Sequence, residues 1–294
     1  MSQDEIIVRV RPPSEASSFL LPVTVGCSHN KCTFCGTYPD VRFRVRHLED
    51  IKQDIDQVAK NYSWSLKRVF LEEGDALIAP QRILVGVLKH LNEKFPYLSR
   101  IGTYATPQSA LIKSVDELKE LHRLGLNIAY MGVETGDEEL LKKINKGVNY
   151  NQIVEAGRKI RQAGITLSVT VILGLGGVEG SRKHALGTAK ILSDIDPEFA
   201  GTLTLMLVPG TSLHKEWEEG KFTLISPFQS LEELKLIIEN SNFTNCFFTA
   251  NHASNYLPIK VRLPRQKAET VRLIEEVLAT KDMSRLRPEA IRAL

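Results

Sequence analysis

Residues 127–147 read NIAYMGVETGDEELLKKINKG. The opening NIAYMGVE is a short apolar run of the kind that forms a strand, and DEELLKKINKG has the period of a helix. A strand that hands over to a helix is one βα unit, and the same alternation extends in both directions along the chain. Upstream, RIGTYATP (100–107) precedes the helix SVDELKELHRLG (114–125), which carries the capping pair Ser114 and Glu117 and stops at Gly125. Before that, KRVFLEEG (67–74) leads to PQRILVGVLKHLNEKF (80–95), a helix that opens at Pro80. The first strand is expected over FLLPVTVGC (19–27). After a long loop comes a helix in HLEDIKQDIDQVAKNY (47–62), with Leu48, Ile51, Ile55 and Val58 spaced by three and four. Downstream follow the helix NYNQIVEAGRKIRQAG (149–164), strand TLSVTVILGL (166–175), helix SRKHALGTAKILSDI (181–195) and strand GTLTLMLVP (201–209).

Six such strands by about residue 210 fall short of the eight that close a barrel. The expected fold class is therefore α/β, a partial (β/α)6 TIM-type barrel with a C-terminal helix and loop extension. Its expected parts are an N-terminal segment over 1–18, a core barrel over 19–213 and an extension over 214–294 packed on the barrel. With 294 residues, 43% hydrophobic and 25% charged, the chain is large enough for such a core, and its composition points to a folded chain and away from disorder. The net charge of +3, from 38 basic and 35 acidic residues, neither demands nor excludes a nucleic acid. MSQDEIIVRVRPPSE has no apolar segment behind a basic start, and no stretch has the roughly 18 apolar residues of a membrane span. These features give the expectation of a cytoplasmic protein with no membrane partner, where clustered thiols are metal ligands or catalytic groups and not disulfides.

Three of the four cysteines stand in GCSHNKCTFCGTY (26–38), as Cys27, Cys32 and Cys35. They fall in the loop after the first strand, and in parallel α/β barrels the loops at the C-terminal strand ends build the active site. Thiolates spaced C-x4-C-x2-C can converge on one metal centre, either zinc or an iron–sulfur cluster. Zinc needs a fourth protein ligand, for which His29 is available; a 4Fe-4S cluster with three cysteines leaves one iron open to an outside ligand. In VRFRVRH, Arg42, Arg44 and Arg46 alternate with Val41, Phe43 and Val45, so an extended segment places them on one face, either as a charged outer face or as a site for an anion or a reductase. TNCFFTANHASNYLPIKVRLP (244–264) reads as too polar for a core strand. As a loop over the barrel mouth it offers His252 and Tyr256 as a proton or hydrogen relay, the alternative being capping and loop hydrogen bonding. Cys246 reads as a small buried apolar residue.

The cysteine loop resembles that of the radical S-adenosylmethionine (SAM) enzymes: Cys27, Cys32 and Cys35 with Phe34 before the last cysteine match their C-x3-C-x2-C signature, with one extra residue in the first spacer. Other matches follow in order at later strand ends. Glu73, Gly74 and Asp75 fall where the family has a Gly-Gly-Glu stretch that holds the SAM amino group, with Asp for Glu and the first Gly lost. GVETGDEELLKKINKG is similar to a segment shared by the elongator catalytic subunit, the methylthiotransferases and the oxygen-independent coproporphyrinogen oxidases. There the resemblance implies that Glu134 contacts the ribose or another polar part of SAM. It further implies a basic residue on the next helix for the methionine carboxylate, with Arg161 the best match and Arg158 the second. VTVILGLGGVEG resembles the adenine-binding stretch, with Ile172, Gly174 and Gly176 against the base, and LMLVPGTSL resembles the subgroup's sixth strand end. The resemblance covers about residues 20–213. It implies a 4Fe-4S cluster whose open iron is reserved for SAM, with His29 a loop residue. It also implies reductive cleavage of SAM to a 5'-deoxyadenosyl radical, oxygen sensitivity, an electron donor such as flavodoxin or ferredoxin, and a small or medium-sized substrate. Alkyl or methyl transfer, and a non-catalytic zinc protein, are the alternative readings. No segment resembles a cobalamin-binding or RNA-binding domain, so a nucleic acid substrate is disfavoured.

Overall fold

The computed structural model describes residues 10–293, so the first half of the expected N-terminal segment, residues 1–9, lies outside the described residues. The chain packs as two compact units.

The first unit comprises residues 1–30, 37–130 and 162–165. It contains β1 (Phe19–Pro22), β2 (Thr24–Val25), β3 (Arg44–Val45), α1 (Leu48–Tyr62), β4 (Arg68–Glu72), α2 (Gln81–Lys94), β5 (Arg100–Ala105), α3 (Pro107–Ile112), α4 (Val115–Arg123) and the first part of β6 (Leu126–Glu134). The hydrogen-bonded order is β1-β4-β5-β6, with β1 parallel to β4 and β4 parallel to β5. The strand expected over 19–27 breaks after Pro22. Proline has no N–H to continue a ladder, and Thr24–Val25 instead pairs antiparallel with Arg44–Val45. Val69, Phe70 and Leu71 of β4 are all fully buried, as expected of a parallel strand covered on both faces. Ile51 and Ile55 of α1 and Val87, Leu88 and Leu91 of α2 supply buried helix faces. The capping box expected at Ser114 and Glu117 is present at the start of α4.

The N-terminal segment fixes the start of these strands. Glu15 is fully buried and accepts hydrogen bonds from Tyr130 (2.6 Å), from Arg100 Nη2 (2.6 Å) and Nε (3.0 Å), and from Arg68 (3.2 Å). Burial alone raises such a carboxyl, but bonds from Ser18, Tyr130 and Arg100 outweigh it and hold Glu15 below the usual range.

The second unit comprises residues 31–36, 131–161 and 166–294. It contains the end of β6, α5 (Glu138–Lys143), α6 (Tyr150–Gln162), β7 (Thr166–Leu173), α7 (Gly177–Ile195), β8 (Phe199–Thr204), α8 (Ser212–Glu218), α9 (Pro227–Asn240), β9 (Cys246–Thr249), β10 (Lys260–Leu263) and α10 (Lys267–Thr280). Its strand order is β6-β7-β8-β9-β10; β8 runs parallel to β7 and to β9, and β10 closes the edge antiparallel. The stretch read as too polar for a core strand thus supplies one. Cys246 and Phe248 are fully buried, and the polar residues begin only at the strand's end, where a loop over 250–259 starts. Six strands of the βα pattern are present, as β1, β4, β5, β6, β7 and β8, although the sixth, expected over 201–209, runs Phe199–Thr204; the C-terminal extension adds β9 and β10.

Candidate active site

The strand ends of each unit gather the motif residues, and in the first unit the turn after β4 is bonded to the start of the cysteine loop. Gly26 donates its N–H to Glu73 Oε2 (2.9 Å) and accepts at its carbonyl from Gly74 N–H (3.2 Å). Gly74 is required by contact. A Cβ there would stand 2.7 Å from Cys27 Cβ and 2.9 Å from Cys27 Cα, inside any tolerable separation. Glu73 holds a left-handed backbone at φ +83°, a strained conformation for a residue with a side chain. Asp75 is fully buried and accepts from Ser28 Oγ (2.6 Å) and Thr106 Oγ1 (2.8 Å). Burial outweighs those bonds and raises its carboxyl. Glu73 and Asp75 therefore clamp the loop that carries Cys27 and Ser28. Arg46 is bonded to Asp54 (2.6 Å) and to the Pro22 carbonyl (2.8 Å), which makes it a brace, whereas Arg42 and Arg44 are exposed.

The second unit holds the rest of the cysteine loop. A turn joins Cys35 N–H to the Cys32 carbonyl (3.2 Å). Thr33, between them, donates to the Ile144 carbonyl after α5 (3.0 Å) and accepts from Leu213 N–H of α8 (2.9 Å). Phe34 and Ile172, both expected near the cofactor, pack on one apolar cluster with Leu140, Ile144, Leu175 and Leu205. At the end of β6, Glu134 is buried in a left-handed conformation, φ +66°, and forms a buried ion pair with Lys146 at 2.8 Å. Sequence reading passed over Lys146, because a lysine in KKINKG resembles any solvated helix-end residue.

The glycine-rich turn after β7 is built around Gly174, whose φ of +79° suits glycine. Its N–H donates to Glu233 Oε2 (2.7 Å), a fully buried carboxyl on α9. Burial pushes Glu233 up to about 7, against the lowering effect of the Gly174 N–H and the Ser181 hydroxyl. His184 of α7 lies 3.8 Å away and is equally buried. Its Nε2 bonds the Ile172 carbonyl (3.0 Å), which can only accept, so Nδ1 carries no hydrogen and accepts from Thr135 Oγ1 (2.8 Å). Burial depresses His184 to about 4, so at neutral pH the pair is not an ion pair despite its spacing. Gly176 sits against Gly180 and His184. Glu233 did carry a sequence signal, since it falls on the α9 stripe of Ser230, Leu234 and Ile237 that is otherwise buried.

The arginines expected to reach SAM stand elsewhere. Arg161 bonds Glu198 Oε1 (2.8 Å) and the Ile195 carbonyl (2.9 Å), and Arg158 bonds the Asp194 carbonyl (2.8 Å). These partners precede β8, at the N-terminal edge of β7 and β8. That edge is a strand length, roughly 20 Å, from the glycine turn. The helical face of α6 that carries both arginines follows the α7–β8 connection, so the carboxylate assignment to Arg158 and Arg161 is corrected. Lys146, paired with Glu134, is a basic side chain that this unit does place at a motif-bearing strand end.

Beyond β7 and β8 a cavity of about 420 Å³ opens, lined by Leu173, Gly174, Leu205, Met206, Leu207 and Ile225 and by the polar set Tyr256, Glu289 and Arg292. Tyr256 donates to Glu289 (2.8 Å) and accepts from Arg292 (2.6 Å), and burial raises its hydroxyl to about 12. His252 is absent from that lining; its Nδ1 accepts from Ser254 N–H (3.2 Å), and burial followed by Arg287 lowers its basicity. Cys246 is fully buried, and burial pushes its thiol up to about 12.

Among the described residues no three His, Cys, Asp or Glu side chains within one group are arranged to hold a metal ion, and Cys27 belongs to a different unit from Cys32 and Cys35. The donor set itself suits an iron–sulfur cluster: three thiols in nine residues, two of them on one turn, with no acid among them. Among the described residues no helix is long and apolar enough to cross a membrane.

Comparison with known proteins agrees with these motifs. Heme chaperone HemW of Bacillus subtilis is 22% identical over 223 residues, 71% of this chain and 58% of HemW. The uncharacterized protein YtqA of the same organism is 31% identical over 209 residues, 68% of this chain and 62% of YtqA. The chain thus spans about six tenths of these relatives' length. The solved structure of coproporphyrinogen III oxidase (HemN) from Escherichia coli, described as a radical SAM enzyme, superposes with a TM-score of 0.58 at 19% identity over 75% of this chain and 51% of HemN, which shows the partial-barrel fold. Residues 21–187 match the radical SAM superfamily over more than half of the sequence, and the chain belongs to that superfamily, whose members use a 4Fe-4S cluster and S-adenosylmethionine.

Proposed function

We propose that the protein is a radical SAM enzyme in which Cys27, Cys32 and Cys35 hold a 4Fe-4S cluster and SAM is cleaved reductively for hydrogen abstraction from a substrate. The observation that carries this reading is the Cys32–Cys35 turn, whose Thr33 is tied by backbone bonds to Ile144 and Leu213 at the ends of the motif-bearing segments. When bound, the cluster supplies the electron that splits the sulfonium into methionine and a 5'-deoxyadenosyl radical. The chain's own residues do the rest. Lys146 offers a buried cation for the methionine carboxylate, and Glu134, paired with it, accepts from the ribose hydroxyls. Glu73 and Asp75 keep Cys27 and Ser28 in place through Gly26, Ser28 and Thr106. Phe34, Ile172, Gly174 and Gly176 form the apolar and glycine-lined side for the adenine, where water is excluded. The core over 19–213 carries the cofactors, and the extension over 214–294 covers the substrate.

An acidic electron donor such as flavodoxin suits the exposed Arg42 and Arg44. The test is anaerobic reconstitution with iron and sulfide. A brown protein with about four irons per chain, lost on Cys32→Ala, is expected; a colourless protein that binds zinc tightly through the same cysteines would refute the reading. Analysis of the SAM fragments separates hydrogen abstraction, which yields 5'-deoxyadenosine, from methyl transfer, which yields S-adenosylhomocysteine.

A further inference from the structure

The cavity beyond β7 and β8 combines two kinds of wall. Leu173, Leu205, Met206, Leu207 and Ile225 make one side apolar. The other side is Arg292, whose side chain is only 4% exposed. Nε of Arg292 donates to the Ser254 carbonyl (2.6 Å), Nη1 to Tyr256 and to Glu289, and Nη2 to the Leu205 carbonyl at a long 3.3 Å. A guanidinium has five N–H groups, so one on Nη2 has no partner among the described residues. The carboxylate that neutralises Arg292 belongs to Glu289, 68% exposed, on a single 3-10 turn. Arg292 caps the same 3-10 turn that begins at Glu289, but its side chain reaches inward, held by the Ser254 carbonyl and by the Leu205 carbonyl just after β8, whereas the Glu289 side chain stays 68% exposed. A carboxylate accepting from both an arginine and a tyrosine hydroxyl has the geometry of a bound acid, and here the chain's own Glu289 fills that place.

We propose that this cavity is the substrate site, that it takes an apolar molecule bearing a carboxylate, and that Glu289 stands in for that carboxylate until the substrate displaces it. The inference rests on the enzyme reading above for the word substrate, while the binding site itself does not. The volume of about 420 Å³ suits a medium-sized organic acid. Arg292 anchors the carboxylate through the spare N–H and the one vacated by Glu289. Tyr256 donates its hydroxyl hydrogen to the incoming carboxylate as it now does to Glu289. The apolar wall, which begins at Gly174 of the glycine turn, takes the carbon chain.

The test uses the reconstituted chain saturated with SAM, and octanoate, 1-octanol and octylamine as probes in titration calorimetry. Octanoate is expected to bind at least about tenfold more tightly than 1-octanol, with octylamine weakest. Glu289→Gln, which keeps the shape and removes the competing charge, should tighten octanoate by roughly tenfold and leave 1-octanol unchanged. Arg292→Lys should weaken octanoate by about tenfold or more, since the planar fork is lost. Thermal melting checks that each variant is folded; if Arg292→Lys is not, Glu289→Gln decides alone. Equal binding of octanoate and 1-octanol, no octanoate binding, or an unchanged affinity in Glu289→Gln overturns the proposal. Failure of the enzyme reading has a different signature, namely Glu289-dependent octanoate binding in a protein that forms no 5'-deoxyadenosine.

Discussion

Glu233→Gln tests the claim that the glycine turn after β7 hangs on a buried, protonated acid. Glu233 is fully buried, accepts from Gly174 N–H at 2.7 Å, and has no hydrogen-bond partner at Oε1 among the described residues. Its carboxyl is raised from 4.5 to about 7. The folded state therefore holds the proton more tightly than the unfolded chain. The stability gained from that proton is full below about 4.5 and is lost as pH rises through about 7. Taking those two values, the group's contribution falls by about 2 kcal/mol between pH 5.5 and 8.5. Glutamine keeps the carbonyl acceptor for Gly174 and does not titrate. The stability difference between variant and wild type, from urea unfolding at several pH values, should swing by about 2 kcal/mol toward the variant as pH rises across that range. A difference independent of pH would refute the protonated state of Glu233. A variant uniformly less stable by more than this amount would show that the carboxyl is needed charged. His184, lowered to about 4 by burial, makes wild-type stability depend on pH through its unfolded-state imidazole near 6.5, but it is common to both proteins and cancels in the difference.

Gly74→Ala pushes a methyl to 2.7 Å from Cys27 Cβ, an overpacking that should cost about 1–3 kcal/mol and lower retained iron; unchanged stability and iron in urea unfolding and metal analysis would contradict the close packing. Lys146→Met strands Glu134 and should cost about 3 kcal/mol. The double variant with Glu134→Gln should recover most of that stability while SAM affinity stays at least tenfold weaker in equilibrium dialysis, whereas recovered affinity would remove Lys146 from the carboxylate site. Glu15→Gln removes the acid that Arg68, Arg100 and Tyr130 share; with both arginines about a third exposed, a loss of about 2 kcal/mol at pH 7 is expected. Because the native carboxyl is lowered, its contribution is present above the unfolded value near 4.5 and fades as pH falls below it, so wild type and variant should converge in acid unfolding.

The alternation of apolar runs with helical periods was enough to find β4 to β8, because strands covered on both faces need continuous apolar residues and surface helices need stripes. β9 escaped because its four residues are followed at once by Asn251, His252 and Ser254, and polarity averaged over the whole stretch hid a buried Cys246 and Phe248. The motif glycines and acids were legible as strand-end residues, but their partners were not. No local pattern says that Glu73 will bond Gly26, or that Asp75 will bond Ser28 and Thr106, since these bonds join residues 31 to 47 positions apart. Arg161 was misplaced for the same reason. Its sequence neighbourhood fits a helix end near the cofactor, and only the fold reveals Glu198 and Ile195 at the opposite strand edge. Glu233 was the clearest overlooked signal, a glutamate on the apolar stripe of α9, where a charged residue needs a reason.

The central claim is that Cys27, Cys32 and Cys35 act together to cleave SAM by one-electron chemistry. It is tested most directly by quantifying 5'-deoxyadenosine after anaerobic incubation of the reconstituted protein with SAM and dithionite, for wild type and for Cys27→Ala, Cys32→Ala and Cys35→Ala. The account predicts 5'-deoxyadenosine from wild type and none above background from each variant. Equal amounts from wild type and any one of the variants, or none from an iron-loaded wild type, would contradict it.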